Sequence, residues 1–268
     1  MRQVQMRTGH DKKHAADAVR VWFIGAGPGD PELITVKGRR LVEEADLILY
    51  AGSLVPKEAV ACAKDGARVI DSSSLALEEI HALMRDAARS GELVARVHTG
   101  DPLLYGAARE QKELLEADGI ACGIVPGVSA AFAAAAAAGV SFTVPESVQS
   151  LAITRLDGRT PVPQGQSVAE YARHGGSLAV YLSARMPDKL AGELRDGGLA
   201  EDTPILLAKR VGWPDQKLAW ATLESLVQVA EAQEFTRQTV FLILPGERQK
   251  EAARSRLYDA GFSHEFRK

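Results

Sequence analysis

Three glycine-bearing turns carry residue types that could do chemistry. They are Gly25-Ala26-Gly27-Pro28-Gly29-Asp30 in VWFIGAGPGD, Gly100-Asp101-Pro102 in RVHTGDPLLYG, and Val125-Pro126-Gly127-Val128-Ser129-Ala130. Glycine lets a backbone approach a ligand closely. The first turn invites comparison with the G-x-G-x-x-G fingerprint, which packs its third glycine against a helix and offers N–H groups to a pyrophosphate. Two residues oppose that reading. Pro28 has no N–H to give, and Asp30 places a carboxylate where a phosphate would be repelled. The acidic residue that usually ends the second strand is also missing, because ADLILYAGSLV closes on tyrosine and small residues. Asp30 equally suits capping of a helix opened by Pro31. Carboxylates beside backbone donors suit a neutral nucleoside joined to a positively charged amino-acid moiety, as in S-adenosylmethionine, better than a polyphosphate.

Each turn follows an apolar run, and those runs must place them. Over residues 19–146 the runs 21–25, 45–51, 67–72, 92–100 and 120–127 alternate with helix-period segments. That alternation predicts βαβ units and a mostly parallel sheet, which binds ligands at the carboxyl ends of its strands. Ser74 is placed to cap a helix ending at Gly91, residues 107–118 form a second amphipathic helix, and the alanine run at 133–138 a third. The pattern changes at 144–149. Over 147–247 the strands 150–155, 177–183, 204–211, 217–223 and 239–246 predict a mixed sheet, with a hairpin at 213–215 and helices near 187–196 and 223–232. The expectation is therefore an α/β protein of two domains, with a flexible charged arm over 1–18 and a polar tail over 248–268.

Composition narrows the function classes. The 268 residues are 46% hydrophobic and 25% charged, with a net charge of -3, which argues against a general attraction to nucleic acid or anionic membrane. The apolar run from Ala130 to Val140 is too short to span a bilayer. Cys62 and Cys122 stand alone, so neither a zinc site nor a disulfide framework is indicated, which suits a reducing cytoplasm.

The succession GAGPGDPELITVKGRRLVEEADLILYAGSLV, VHTGDPLLYGA, VPGVSA and TRLDGRTPVP resembles the tetrapyrrole (corrin and porphyrin) methyltransferases over about residues 20–247. Within that family LYAGSLV, TRLDGRTPVP and KRVGWPDQK are most similar to the members that methylate carbon 11 of precorrin-4 in cobalamin synthesis. The resemblance implies two α/β domains with the ligand held between them, and a homodimer. It implies S-adenosylmethionine contacted by Pro28, Gly100, Asp101, Tyr105, Ser129 and Ala130, and by Leu182 and Ala208 of the second domain. Related enzymes often carry methionine where Leu182 stands.

The implied chemistry is attack of an electron-rich ring carbon on the sulfonium methyl, which needs collinear placement more than a dedicated nucleophile. A base would assist proton loss, with Asp30 the first candidate and Asp101 the second. His98, alone before a turn, reads as structural. Precorrins carry many carboxylates, which arginine contacts in bidentate fashion. Arg109, Arg155, Arg159, Lys209 and Arg210 are candidate acceptor contacts, with Trp213 packing on the macrocycle. Three alternatives stay open: a cobalt-loaded precorrin, another precorrin or uroporphyrinogen position, and, more distantly, an NAD(P)-dependent oxidoreductase.

Overall fold

A computed structural model describes residues 19–248. The arm expected over 1–18 and the tail beyond Arg248 lie outside the described residues. The chain divides into two compact units between Ala130 and Ala131. The 144–149 stretch, where the strand pattern changes, lies between the last strand of the first sheet and the first strand of the second.

The first unit holds five parallel strands: β1 (Val21–Gly25), β2 (Leu47–Tyr50), β3 (Arg68–Asp71), β4 (Val94–His98) and β5 (Cys122–Val125). Their order is β3-β2-β4-β1-β5. Runs such as LILY are apolar at every position because both faces of the sheet are covered. On one face Ile24, Ile48 and Val97 pack with Leu41 and Val42 of α1 (Val36–Glu44). On the other, Phe23, Leu47, Leu49 and Val94 meet Met84 of α2 (Leu77–Arg89) and Leu115 of α3 (Ala108–Ala117). Alternation along β4 puts Arg96 and His98 on that second face, beneath α2 and α3.

Two helix starts differ from expectation. Asp30 caps only a 3-10 turn, Pro31–Leu33, and the α-helix opens later behind Thr35, whose hydroxyl accepts from the Gly38 N–H. Helix α2 begins behind Ala76 rather than Ser74. The Glu79 carboxylate accepts the Ala76 N–H at 2.7 Å and so satisfies the helix start from inside its first turn.

The second unit has a mixed sheet, as its sequence predicts, in the order β6-β7-β10-β8-β9. The strands are β6 (Leu151–Arg155), β7 (Ser177–Tyr181), β8 (Pro204–Lys209), β9 (Lys217–Thr222) and β10 (Thr239–Ile243). Only β6 and β7 run parallel; the other pairs are antiparallel. Leu178, Val180, Leu207 and Phe241 pack with Leu190 of α6 (Pro187–Asp196) and Leu226 of α7 (Leu226–Ala232). The alanine run forms α4 (Ala130–Ala138). One helix was not expected, α5 (Val168–Ala172), opened by the Ser167 hydroxyl accepting from the Glu170 N–H. Its signal was present in the Ser-x-x-Glu spacing of a capping box.

Candidate active site

Strand order is what brings the three glycine turns together. β1 lies between β4 and β5, all three run the same way, and the turns leave adjacent strand ends. Gly27 and Gly100 exchange backbone hydrogen bonds, Gly27 N–H to Gly100 O at 3.3 Å and Gly100 N–H to Gly27 O at 2.7 Å. Gly127 lies so close to the Gly25 and Gly100 backbones that a Cβ there would overlap the Gly100 carbonyl. Gly100 itself has φ 61°, and a Cβ at that position would find its nearest neighbours only at 3.9 Å. This glycine leaves room for an incoming group rather than for packing.

The two Gly-Asp-Pro turns use their carboxylates differently. Asp101 accepts the Leu103 N–H at 2.8 Å through Oδ1 and the Gly127 N–H at 2.9 Å through Oδ2, tying the second turn to the third. Asp30 accepts the Glu32 N–H at 2.9 Å through Oδ1. Pro28 is buried, Ser129 is buried beside the half-buried Ala130, and Tyr105 is exposed with φ 54°. A positive φ in a non-glycine residue marks strain held by its surroundings, a feature concentrated at functional sites.

His98 ends β4, 9% exposed, with Nε2 unpartnered among the described residues and its ring 5.8 Å from that of Phe23. Burial, helped by the nearby Arg96 charge, pulls its pKa down to about 3. A neutral imidazole this weakly basic is a poor proton acceptor near neutral pH. Arg96 was not singled out by the sequence reading. A charged residue inside the apolar strand VARVH was the available signal.

In the second unit Leu182 follows β7 with φ 54° and 67% of its surface exposed. Ser183 pins that corner by accepting the Leu156 N–H at 2.9 Å and donating to the Tyr181 carbonyl at 2.7 Å. The Tyr181 hydroxyl accepts the Ala131 N–H at the start of α4. Ala208 is buried within β8, between β10 and β9.

The candidate cations are mostly engaged with their own loops. Arg155 donates to the carbonyls of Leu156, Thr160 and Pro161, and so folds the TRLDGRTPVP loop around its guanidinium. Arg159 is exposed on that same loop. Arg210, φ 50°, donates to Asp215 and to the Gln238 side chain and lies 4.1 Å from the centre of the Trp213 ring. Lys209 donates to the Glu234 carbonyl. Arg210 and Trp213 are thus brought together, while the Lys209 ammonium is held at Glu234. Arg109 sits on the exposed side of α3 in the first unit, paired with Glu113.

Residues 20–227 match the family model of the Tetrapyrrole (Corrin/Porphyrin) Methylases. The chain belongs to this family. It is 42% identical over 247 residues to a precorrin-4 C(11)-methyltransferase of Pseudomonas aeruginosa, covering 92% of this chain and 98% of that one. The solved structure of a cobalt precorrin-4 methyltransferase superposes with a TM-score of 0.82 at 41% identity, covering 85% of this chain and 95% of that one. A uroporphyrin-III C-methyl transferase from Thermus thermophilus, solved with S-adenyl homocysteine, matches with a TM-score of 0.68 at 28% identity, over 85% and 99%. The two α/β sheets expected from the sequence are the fold of this tetrapyrrole methylase, and the distant nucleotide-dependent oxidoreductase is not favoured.

Proposed function

We propose that this methylase transfers a methyl group from S-adenosylmethionine to carbon 11 of precorrin-4, giving precorrin-5 and S-adenosylhomocysteine. The observation that carries the reading is the convergence of three glycine turns on adjacent parallel strand ends. GAGPGD, TGDPLLYG and VPGVSA contain no lysine or arginine. Such a donor set fits a neutral nucleoside and a cationic sulfonium better than a pyrophosphate, and the room over Gly100 fits close approach. S-adenosylmethionine, when bound, supplies a methyl group on a positively charged sulfur that leaves neutral.

The protein's own residues then bind, orient and manage protons. Gly100 and Asp101 fix the second turn, with Pro28, Tyr105, Ser129 and Ala130 as proposed donor contacts; Leu182 and Ala208 are proposed as further donor contacts. Asp101 has both oxygens committed to backbone N–H groups, so its part is to hold the turns. Asp30, through Oδ2, is the residue proposed to accept a proton from the acceptor. Lys209, Arg210 and Trp213, together with Arg109, Arg155 and Arg159, are the proposed acceptor contacts, the guanidiniums meeting the acceptor's carboxylates. The enzyme acts as a homodimer in the cytoplasm.

The deciding experiment is incubation with S-adenosylmethionine and precorrin-4, followed by mass analysis and assignment of the new methyl carbon. Gain of one methyl at carbon 11 supports the reading. Binding of a nicotinamide cofactor without S-adenosylhomocysteine binding overturns it. The cobalt-loaded acceptor is a second reading, favoured by the name of the structural relative. Offering both acceptors in parallel and comparing kcat/KM separates the two.

A further inference from the structure

Arg96 is, among the described residues, the one buried side chain that carries a formal charge at neutral pH, 6% exposed. Burial lowers its pKa to about 10, which still leaves it protonated. Its hydrogen-bond partners are neutral: Nε donates to Gln111 Oε1 at 3.0 Å and Nη1 to Ser72 Oγ at 2.7 Å. A buried charge without a carboxylate is costly, and apolar residues in such places are often as stable or more so. Stability alone does not account for this residue.

The partners lead to two different loops of the first unit. The Ser72 hydroxyl donates a hydrogen bond to the Tyr50 carbonyl at 3.1 Å, and the Ser72 N–H donates to the same oxygen at 2.8 Å. Tyr50 ends β2 and leads into the loop AGSLV at 51–55. Asp71, next to Ser72, accepts the Gly52 N–H of that loop and the Ser73 N–H, both at 2.9 Å. A side chain at Gly52 would overlap the Asp71 carboxylate. Gln111 belongs to the first turn of α3, which directly follows the glycine turn at 100–106; its N–H closes on the Ala107 carbonyl at 3.2 Å. The guanidinium fork therefore spans from the loop after β2 to the helix that anchors the turn after β4.

We propose that Arg96 is a positioning residue for methyl transfer, holding the AGSLV loop in register with the second glycine turn. This rests on the function proposed above. In-line transfer tolerates little misplacement, since a shift of about 1 Å can cost about 100-fold in rate. A planar guanidinium holds its donors at a fixed spacing and angle and so fixes two acceptors relative to each other, which the rotatable donors of an ammonium on a flexible stem do not.

The test uses the full chain and reads melting temperature, S-adenosylhomocysteine affinity, kcat and acceptor KM. Wild type is assayed first, and absence of methyl transfer there overturns the functional reading independently of any variant. For the double variant Arg96→Met with Gln111→Leu, which leaves that side of the fork apolar, folding is retained and S-adenosylhomocysteine affinity stays within about threefold, while kcat falls about 10- to 100-fold. Arg96→Lys keeps the charge and does not restore kcat. Ser72→Ala, a milder change, lowers kcat about three- to tenfold at unchanged donor affinity. A folded Arg96 variant with kcat within twofold of wild type overturns the proposal, as does a kcat loss matched by an equal loss of donor affinity. Should the Arg96 variants fail to fold, Ser72→Ala decides: unchanged kcat overturns the proposal, and a kcat loss at unchanged donor affinity supports it.

Discussion

Gly29-Asp30-Pro31 and Gly100-Asp101-Pro102 share a tripeptide and leave adjacent strands at the same sheet edge, yet they are built for different work. The second turn is bound on every side. Gly100 pairs with Gly27, and Asp101 spends one oxygen on its own turn and the other on Gly127 of the third. The first turn shares that Gly27–Gly100 pairing, but its carboxylate is spent locally, on the Asp30 cap of Glu32 and the 3-10 turn that follows. A carboxylate with both oxygens held by N–H donors is part of the frame; one that caps with a single oxygen keeps an acceptor for other use. A shared motif thus fixes the residue types, and strand order decides what each does.

The largest expected effect comes from breaking the contact that makes the second turn rigid. Gly127→Ala drives a Cβ into the Gly100 carbonyl, with the Gly25 backbone on the other side. No side chain stands there to give way, so the strand ends must part. The expected cost is about 3 kcal/mol, read as a fall in the chemical-denaturation midpoint with loss of S-adenosylhomocysteine binding. A variant as stable as wild type would show that the three turns do not lean on one another.

Asp101→Ala comes next. It removes the acceptor of two backbone N–H groups, one of them on a neighbouring turn, at an expected cost of about 2 kcal/mol. Donor affinity falls with stability, because the same carboxylate shapes the room over Gly100. Calorimetric titration with S-adenosylhomocysteine checks this. Undiminished affinity would reduce Asp101 to a local turn former like its counterpart.

How much of this was readable in the chain follows from the range of each signal. The strands announced themselves because a doubly covered sheet needs apolar runs such as LILY and VWFIG, and the change to a mixed sheet showed in the second half. The turns were legible as glycine clusters. The position of β1 between β4 and β5 was not, since it is set by packing on both faces, and only that order tells which aspartate is locked. Local errors came from local competition. Ser74 stands in a cap-like position, but Glu79 satisfies the helix start from within, and the Ser167-to-Glu170 cap opens a helix of only five residues, too short to carry a periodic apolar pattern. Arg96 was hidden for a different reason. Its partners Ser72 and Gln111 are neutral, so no charge pairing pointed to it.

The strand ends beneath the two turns differ as well. Gly25 and His98 are register partners across β1 and β4, so the first turn rests on a glycine where the second rests on a buried imidazole. With its pKa at about 3, His98 stays unprotonated in the folded chain while the unfolded chain takes up a proton below about 6.5. The unfolded state therefore binds more protons between those values, and stability falls as pH drops through that window. Between pH 7 and pH 5 the expected loss from this group is about 2 kcal/mol. His98→Gln, which does not titrate, should show a shallower loss by that amount in denaturant melts at the two pH values. Parallel curves would mean that the imidazole is hydrated and the second turn is less sealed than its contacts indicate.

Asp30→Ala has the smallest expected effect on stability, about 1 kcal/mol, the ordinary cost of removing a helix cap. Its meaning lies in what else changes. Because Asp30 touches neither of the other turns through its carboxylate, S-adenosylhomocysteine affinity should stay within about twofold, a fraction of the 1.4 kcal/mol that a tenfold change represents. Turnover should fall about 100-fold if Oδ2 takes a proton from the acceptor. Asp30→Asn sharpens the point: its amide oxygen can still accept the Glu32 N–H and so preserves the cap, but it cannot take up a proton. Stability recovered without turnover would assign the first turn to chemistry and the second to framework. Turnover recovered together with stability would leave the cap as the whole function of Asp30 and make the two turns alike.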